Sequence, residues 1–339
     1  MIFSRKMTFL AFFLIIFTAF GAFAQLKELG LLQKNVADLS DTLAKSLPFN
    51  SSMGLNWSDA YVGKFLPSLP PHFGAGGVFG ITTIDMPSLK GVAGLLGYDF
   101  PSNPLFSDKL IIPAWAAEAR IGGFFLPFDI GVKFGTLPQI GWLGASYKLN
   151  YTLAGADLRW ALLDGKTNLF LPNLSIGLGL NYLSGGIGAS VGSDTELDVA
   201  GNTIKFYKPD INLLWDTLGL EAKLQISKQI LAITPYIGIG AGYSWSKAGY
   251  ELKTKVEYNG SDIDSLGKQD IKDYLALEGL EGISFSSNGL SSMVKNETWN
   301  VRAFGGISFN ILILKLDVTA MYNILDRQLG ATLGIRVQF

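Results

Sequence analysis

Apolar and polar positions alternate with a period of two through most of this chain. Trp115, Ala117, Ala119, Ile121, Gly123 and Phe125 are apolar or small, and Glu118, Arg120 and Gly122 fall between them. The same alternation runs through 73–81, 130–134, 174–182, 218–226, 233–245, 299–309, 314–322 and 329–339. Successive side chains on a strand point to opposite faces, so each segment has one apolar face and one polar or glycine-rich face. One stretch changes phase. Leu149, Tyr151 and Leu153 are apolar at odd positions, whereas Leu158, Trp160 and Leu162 are apolar at even ones. That shift predicts an extra residue near Gly155 and Ala156, a β-bulge. Ten strands follow, and residues 55–63 and 250–258 are candidates for two more, giving 10–12.

Residues 26–47 follow another rhythm. Leu29, Leu32, Val36, Leu39, Leu43 and Leu47 recur at steps of three and four, with Lys27, Glu28, Lys34, Asp38, Asp41 and Lys45 on the other faces. This predicts an amphipathic helix, ended by Pro48. Pro67, Pro70 and Pro71 make the stretch up to residue 72 irregular, because proline cannot donate to a sheet ladder. Two placements of the helix stay open: a plug or docking helix at the periplasmic mouth of a barrel, or a lead-in helix packed against its base. From residue 73 onward the connections alternate in length. Tight turns are expected near Pro127, Asp164 and Gly165, Lys228 and Gln229, and Asn310. Long polar connections are expected at 85–114, 190–210 and 248–296. All the tight turns then fall at one rim and all the long connections at the other, which is the layout of an outer-membrane barrel.

The last twelve residues carry the pattern in its sharpest form. Leu329, Ala331, Leu333, Ile335, Val337 and Phe339 are apolar; Gln328, Gly330, Thr332, Gly334, Arg336 and Gln338 are polar or glycine. The segment is long enough to cross a membrane as a tilted strand. Here the sequence resembles the bacterial outer-membrane β-barrel class, whose closing strand typically ends in Phe after alternating apolar residues. The resemblance implies an all-β fold, a transmembrane antiparallel up-and-down β-barrel with an N-terminal amphipathic helix. It also implies that Phe339 is the assembly signal, with the barrel-assembly machinery, periplasmic chaperones and the outer-membrane lipid bilayer as partners. The layout is similar to that of uncharacterised outer-membrane barrel families of the spirochaete type. It is only loosely similar to the FadL-type long-chain fatty-acid transporters, whose hatch pattern is not evident here.

Composition adds the compartment. The chain has 339 residues, 48% hydrophobic and 16% charged, with 40 glycines; so low a charged fraction is unusual for a soluble protein. Arg5 and Lys6, the uncharged run from Thr8 to Phe20 and the Ala22-Phe23-Ala24 pattern predict a signal peptide cleaved after Ala24. The expected organisation is a signal peptide (1–24), a periplasmic or plug-like helix and Pro-rich segment (25–72), and an outer-membrane barrel (73–339). Net charge is −1, so no nucleic-acid partner is expected. Cysteine is absent, which excludes disulfides, thiolate metal sites and a Cys nucleophile.

With the apolar set turned to lipid, the polar set faces the lumen. Candidate lumen-lining residues are Glu118, Arg120, Asp129, Lys133, Lys148, Asp157, Arg159, Glu221, Lys223, Arg302, Lys315, Asp317 and Arg336, with bases in excess. Charges at that depth must pair or be hydrated. An ion-pair ladder that fills the lumen and a weakly anion-preferring pore or polar ligand site both stay open. Tyr182, Tyr243, Trp245, Trp299 and Tyr322 near one rim, and Phe125, Phe309 and Phe339 near the other, match an interfacial aromatic belt. Catalysis has little footing. His72 is the single histidine, between Pro71 and Phe73, and reads as a solvated turn residue. Asp262, Asp264 and Gly267 only loosely match a calcium loop. No catalytic residue, metal or cofactor is therefore expected, and the chain is not expected to be an enzyme. The expected function is a narrow pore or a passive conduit for solutes, hydrophobic compounds included. The alternative is a surface-interaction, adhesin-like barrel that uses the 248–296 loop, with a short helix around Ile271 to Leu277.

Overall fold

The structure, a computed structural model, describes residues 26–60, 62, 72–85, 109–123, 126–142, 147–165, 170–190, 194–199, 202–207, 210–253, 255–258, 260–262, 284–286 and 289–339. Residues 1–24, read above as a signal peptide, Pro67, Pro70, Pro71, Phe125, Asp264, Gly267 and the stretch from Ile271 to Leu277 lie outside these residues.

The strands in chain order are β1 (His72–Asp85), β2 (Lys109–Gly122), β3 (Phe128–Trp142), β4 (Tyr147–Leu163), β5 (Asn173–Ser190), β6 (Thr195–Val199), β7 (Asn202–Phe206) and β8 (Asp210–Ser227). They continue with β9 (Ile233–Lys253), β10 (Val256–Tyr258), β11 (Ser261–Asp262), β12 (Ser284–Ser286), β13 (Gly289–Ile311), β14 (Leu314–Asn323) and β15 (Leu329–Gln338). Ten of them form one antiparallel ladder, β13-β14-β15-β1-β2-β3-β4-β5-β8-β9, and β9 pairs back onto β13. The sheet is therefore a closed cylinder in which every strand has a partner on each side. The two extra strands do not join it. Residues 55–60 are irregular, and 250–258 divide between the end of β9 and the short β10. β10 belongs to a separate four-stranded sheet, β11-β10-β7-β6, at the long-loop rim.

Closure follows from the alternation. Phe79, Phe134, Leu178, Leu220, Ile237, Val318 and Leu333 point outward and are exposed, while their chain neighbours point inward. β15 has ten residues; at about 3.3 Å each and a tilt of about 40° they span about 25 Å, the height of an outer-membrane apolar band. Aromatic rings sit at both edges of that band. Tyr243 packs edge-on against Trp245 and Trp299 near the loop rim, at 5.3 Å from each, and Phe128 stacks on Trp160 at 6.3 Å near the turn rim.

The bulge expected near Gly155 and Ala156 is absent. Pairing with β3 and β5 runs unbroken through those residues, and the irregularities lie instead between Leu137 and Ile140 and between Ala161 and Leu163. Odd-numbered residues of β4 face inward along its length: Leu149, Tyr151 and Leu153, then Asp157 and Arg159. The apparent change of phase is a change in what the lumen contains.

Its contents are the N-terminal segment. α1 (Leu26–Ser51) passes through Pro48 rather than stopping there. Pro48 lies only three residues from the helix end, so its missing N–H costs one intrahelical bond. The helix then closes through Ser52 N–H to Phe49 O (3.2 Å) and Met53 N–H to Asn50 O (3.3 Å). Leu43, Ala44, Leu47 and Phe49 pack with Leu149, Leu183, Trp215 and Ala248, in the half of the lumen nearer the long loops. Gly54 and Leu55, both with positive φ, redirect the chain. Residues 55–62 then descend to the turn rim, where Val62 N–H reaches Asp129. The described part of this segment thus runs from the loop rim to the turn rim.

The seam is made by the two ends of the wall. Phe73 N–H bonds Phe339 O (3.3 Å) and Phe339 N–H bonds Phe73 O (2.8 Å), but the Phe339 ring is 63% exposed. Phe339→Ala keeps both backbone bonds. Stability of the detergent-refolded barrel should therefore change by less than about 1 kcal/mol, read by urea titration, while the folded, heat-modifiable fraction assembled in cells should fall.

Candidate functional site: the occupied lumen

The turn-side half of the cylinder is polar. β2 places Glu118 and Arg120 inward, β3 Asp129 and Lys133, β4 Asp157 and Arg159, β8 Glu221 and Lys223, β13 Arg302, β14 Lys315 and Asp317, and β15 Arg336. Lys148 does not join them: it is exposed on the outward face of β4, because the inward positions of that strand are odd-numbered throughout. Among the described residues the wall therefore offers seven inward cations (Arg120, Lys133, Arg159, Lys223, Arg302, Lys315, Arg336) and five carboxylates (Glu118, Asp129, Asp157, Glu221, Asp317).

Part of this charge pairs along the wall. Arg120 bridges Asp129 (2.5 Å) and Asp157 (2.6 Å), Arg159 binds Asp129 (2.7 Å), Lys223 binds Asp157 (2.6 Å), and Arg302 binds Glu221 (2.6 Å). Arg336 pairs with Asp317. Adjacent and next-but-one strands bring opposite charges together, and the guanidinium fork can serve two carboxylates at once.

The remainder is matched by the segment inside. Asp59 accepts from Lys315 (2.7 Å) and Arg336 (3.2 Å), which offsets one of the two surplus cations. Lys133 Nζ donates to Ser51 O (2.8 Å) and Met53 O (2.5 Å). These carbonyls end α1, where the helix dipole is negative and acceptors are otherwise orphaned. Glu118 takes no wall cation. It accepts from Leu55 N–H and from the Trp57 indole N–H (2.7 Å). The plug backbone is held as well: Arg159 donates to Asp59 O (2.7 Å), Gln225 to Trp57 O (2.7 Å) and Ser175 to Ala60 O (2.6 Å), and Ala60 N–H donates to Ser227 (3.0 Å). An irregular segment in a dry interior needs such partners, since an unpaired backbone group is costly.

Steric fit adds to the polar match. The Trp57 ring lies between two guanidinium groups, 4.6 Å from Arg336 and 5.5 Å from Arg120, as cation–π contacts require. A Cβ at Gly74 would come within 2.8 Å of that ring, and one at Gly80 would meet Met53 at the same distance. Inward glycines thus make room for the plug. Gly54 has φ of +87°, and a Cβ there would strike Glu118. The loop-side half differs in kind: it is lined by Val78, Ile84, Ile112, Leu149, Leu183 and Trp215, and it holds the apolar face of α1.

Asn56, Trp57, Ser58 and Asp59 were not among the residues predicted from sequence. Their partners lie at least 61 residues away in the chain, so no local pattern links them. His72 sits at the turn rim, with Nδ1 3.2 Å from Phe339 O. Among the described residues no group of three His, Asp or Glu is placed to hold a metal ion.

The ladder and its lipid-facing band define the class: an integral β-barrel of the outer-membrane type. No protein-family model matches the sequence, and no curated protein does. Among solved structures, the outer-membrane protease OmpT of Escherichia coli is 10% identical, with 80% of this chain and 98% of that chain covered, at a TM-score of 0.35. The transport unit of the E. coli autotransporter AIDA-I is 8% identical, with coverage of 88% and 98% and a TM-score of 0.23. The monoaromatic hydrocarbon channel TodX, as its deltaS2S3 mutant, is 8% identical, with coverage of 80% and 90% and a TM-score of 0.24. Similarities at this level carry no functional weight.

Asp129 tests the network. It is fully buried and accepts from Arg120, Arg159 and Val62. Asp129→Asn leaves two buried guanidinium groups short of a counter-charge and should destabilise the folded barrel by about 3–5 kcal/mol, measured by urea unfolding in detergent. Lys148→Gln should change stability by less than about 0.5 kcal/mol.

Proposed function

We propose that this protein is an outer-membrane conduit for small apolar solutes, held shut by residues 40–62 of its own chain. The observation that carries this reading is the division of the lumen. An apolar half faces the loop rim, and a polar half at the turn rim is closed by a segment bound only through hydrogen bonds, ion pairs and packing. Each such polar contact contributes about 0.5–1.5 kcal/mol net, because water can replace it. The wall, by contrast, is held by backbone ladders in lipid, where a broken backbone bond finds no water. Of the two, the plug is the part that can move. Once Asp59 withdraws, the turn-side wall keeps two more cations than carboxylates, so an opened lumen favours anions over cations.

A second reading has one observation behind it. The sheet β11-β10-β7-β6 stands outside the barrel, and among the described residues β6 and β11 each pair on one side only. Such edges accept an added strand from a partner. We assign no hydrolase chemistry, since His72 lies at the barrel seam beside Phe339 rather than in the polar lumen.

Trp57→Ala with Asp59→Asn removes the ring between two guanidinium groups and the carboxylate between two cations. In planar bilayers the native protein should be mostly closed, whereas the double variant should open in bursts with a modest anion preference. Gly74→Leu, which crowds the Trp57 ring, should do the same by steric means. In cells both variants should admit the apolar dye phenylnaphthylamine faster than the native protein does. Variants that are correctly folded but as silent as the native protein in both assays would remove the conduit reading.

A further inference from the structure

The wall is not equally sealed all round. β2 pairs with β1 along its full length, from Gly122 to Lys109. β3 pairs with β4 up to Trp142. Between β2 and β3, however, the ladder holds only six pairs, from Gly122 opposite Asp129 to Ala117 opposite Phe134. Above that level residues 109–116 and 135–142 face each other without a ladder.

The sequence shows why. Counting four residues onward from Ala117 and Phe134 sets Pro113 opposite Pro138. Residues of an antiparallel pair turn both N–H and C=O to the same neighbour, in alternation. Trp115 turns its own toward β3, so Pro113, two residues away, does too. Pro113 and Pro138 would therefore occupy one hydrogen-bonded position with no donor on either side. A chance proline on one strand could be absorbed as a bulge; two at one position end the pairing. The bonds at Trp115 are made by a side chain instead. Trp115 N–H donates to the Tyr151 hydroxyl (2.6 Å), and that hydroxyl donates to Trp115 O (3.2 Å). Tyr151 comes from β4, two strands away, and caps the base of the gap. There Gly135 approaches the Trp115 carbonyl so closely that any Cβ would strike it.

The gap joins two apolar regions. Ile111 and Trp115 flank it on the lipid side and are exposed. Ile112, Ala114, Ala116, Leu137, Leu149 and Tyr151 flank it on the lumen side, all within or against the apolar cluster that packs on α1. In the orientation of this class, long loops outward, the gap lies at the level of the outer leaflet. The side chains that flank the slot on both faces are apolar, which favours a hydrocarbon over a polar solute there.

We propose that the gap between β2 and β3 is a lateral port, through which small apolar solutes dissolved in the outer leaflet enter the loop-side half of the lumen. This deepens the conduit reading and rests on it for what happens after entry; entry itself can be read separately. In proteoliposomes, a small apolar photoreactive probe, trifluoromethyl-iodophenyl-diazirine, should label Ala114, Ala116 and Leu137 although they face inward. The inward residues Leu183 and Ala248, which pack with α1, should stay unlabelled while the plug is seated. Restoring the donors with Pro113→Thr and Pro138→Thr should cut labelling at the three gap residues about ten-fold, as two regained hydrogen bonds would, and leave the outward belt labelled as before. Labelling confined to outward side chains overturns the port. So does labelling by a diazirine tethered to a phospholipid acyl chain but not by the free probe, which would mark a resident lipid. Gap labelling without accelerated dye entry in the plug variants would sink the conduit reading and keep the port as a binding site; dye entry without gap labelling would do the reverse.

Discussion

Charge inside a cylinder filled by its own chain cannot rely on solvent, so every ion on the inner wall needs a partner built into the chain. That constraint shapes the molecule. Five carboxylates on the wall cannot balance seven cations, and the wall taken alone would be short of acceptors. The N-terminal segment supplies what is missing through the Asp59 carboxylate, the terminal carbonyls of α1 and the backbone of residues 57–60. In the other direction, Glu118 gives the plug an acceptor for Leu55 and Trp57. Wall and plug are two halves of one network, and neither satisfies its polar groups without the other.

Much of the cylinder is legible in the sequence because lipid imposes a simple rule. Period-two alternation assigns ten strands, and the ladder has those ten strands in that order. The rule fails where lipid is not the neighbour. Leu149, Tyr151 and Leu153 are apolar because they face α1, not because they face the bilayer, and reading them as lipid-facing produces a spurious bulge and turns Lys148 inward. Pro48 misleads for a related reason: a break signal weighs little one turn before a helix ends. The plug contacts were beyond reach because Trp57 and Asp59 meet residues on five distant strands. The proline pair had a visible signal in Pro113 and Pro138, but its meaning depends on register, which alternation alone does not fix.

The two halves of the lumen divide the mechanical tasks as well. Polar contacts at the turn rim are individually exchangeable, whereas the apolar packing of Leu43 and Leu47 on Trp215 and Leu183 is continuous and non-directional. A segment anchored in this way can loosen at one end while staying seated at the other. The Tyr151 hydroxyl adds a third kind of joint, a single side chain standing where a ladder of backbone bonds would otherwise be.

Chain order sets the two partners of this network far apart. Residues 40–62 precede every strand, and the strands that hold Asp59, β14 and β15, are the last in the chain. The occupant of the cylinder and the staves that complete it therefore come from opposite ends of the sequence, and Lys315 and Arg336 gain the Asp59 carboxylate only when both ends are in place.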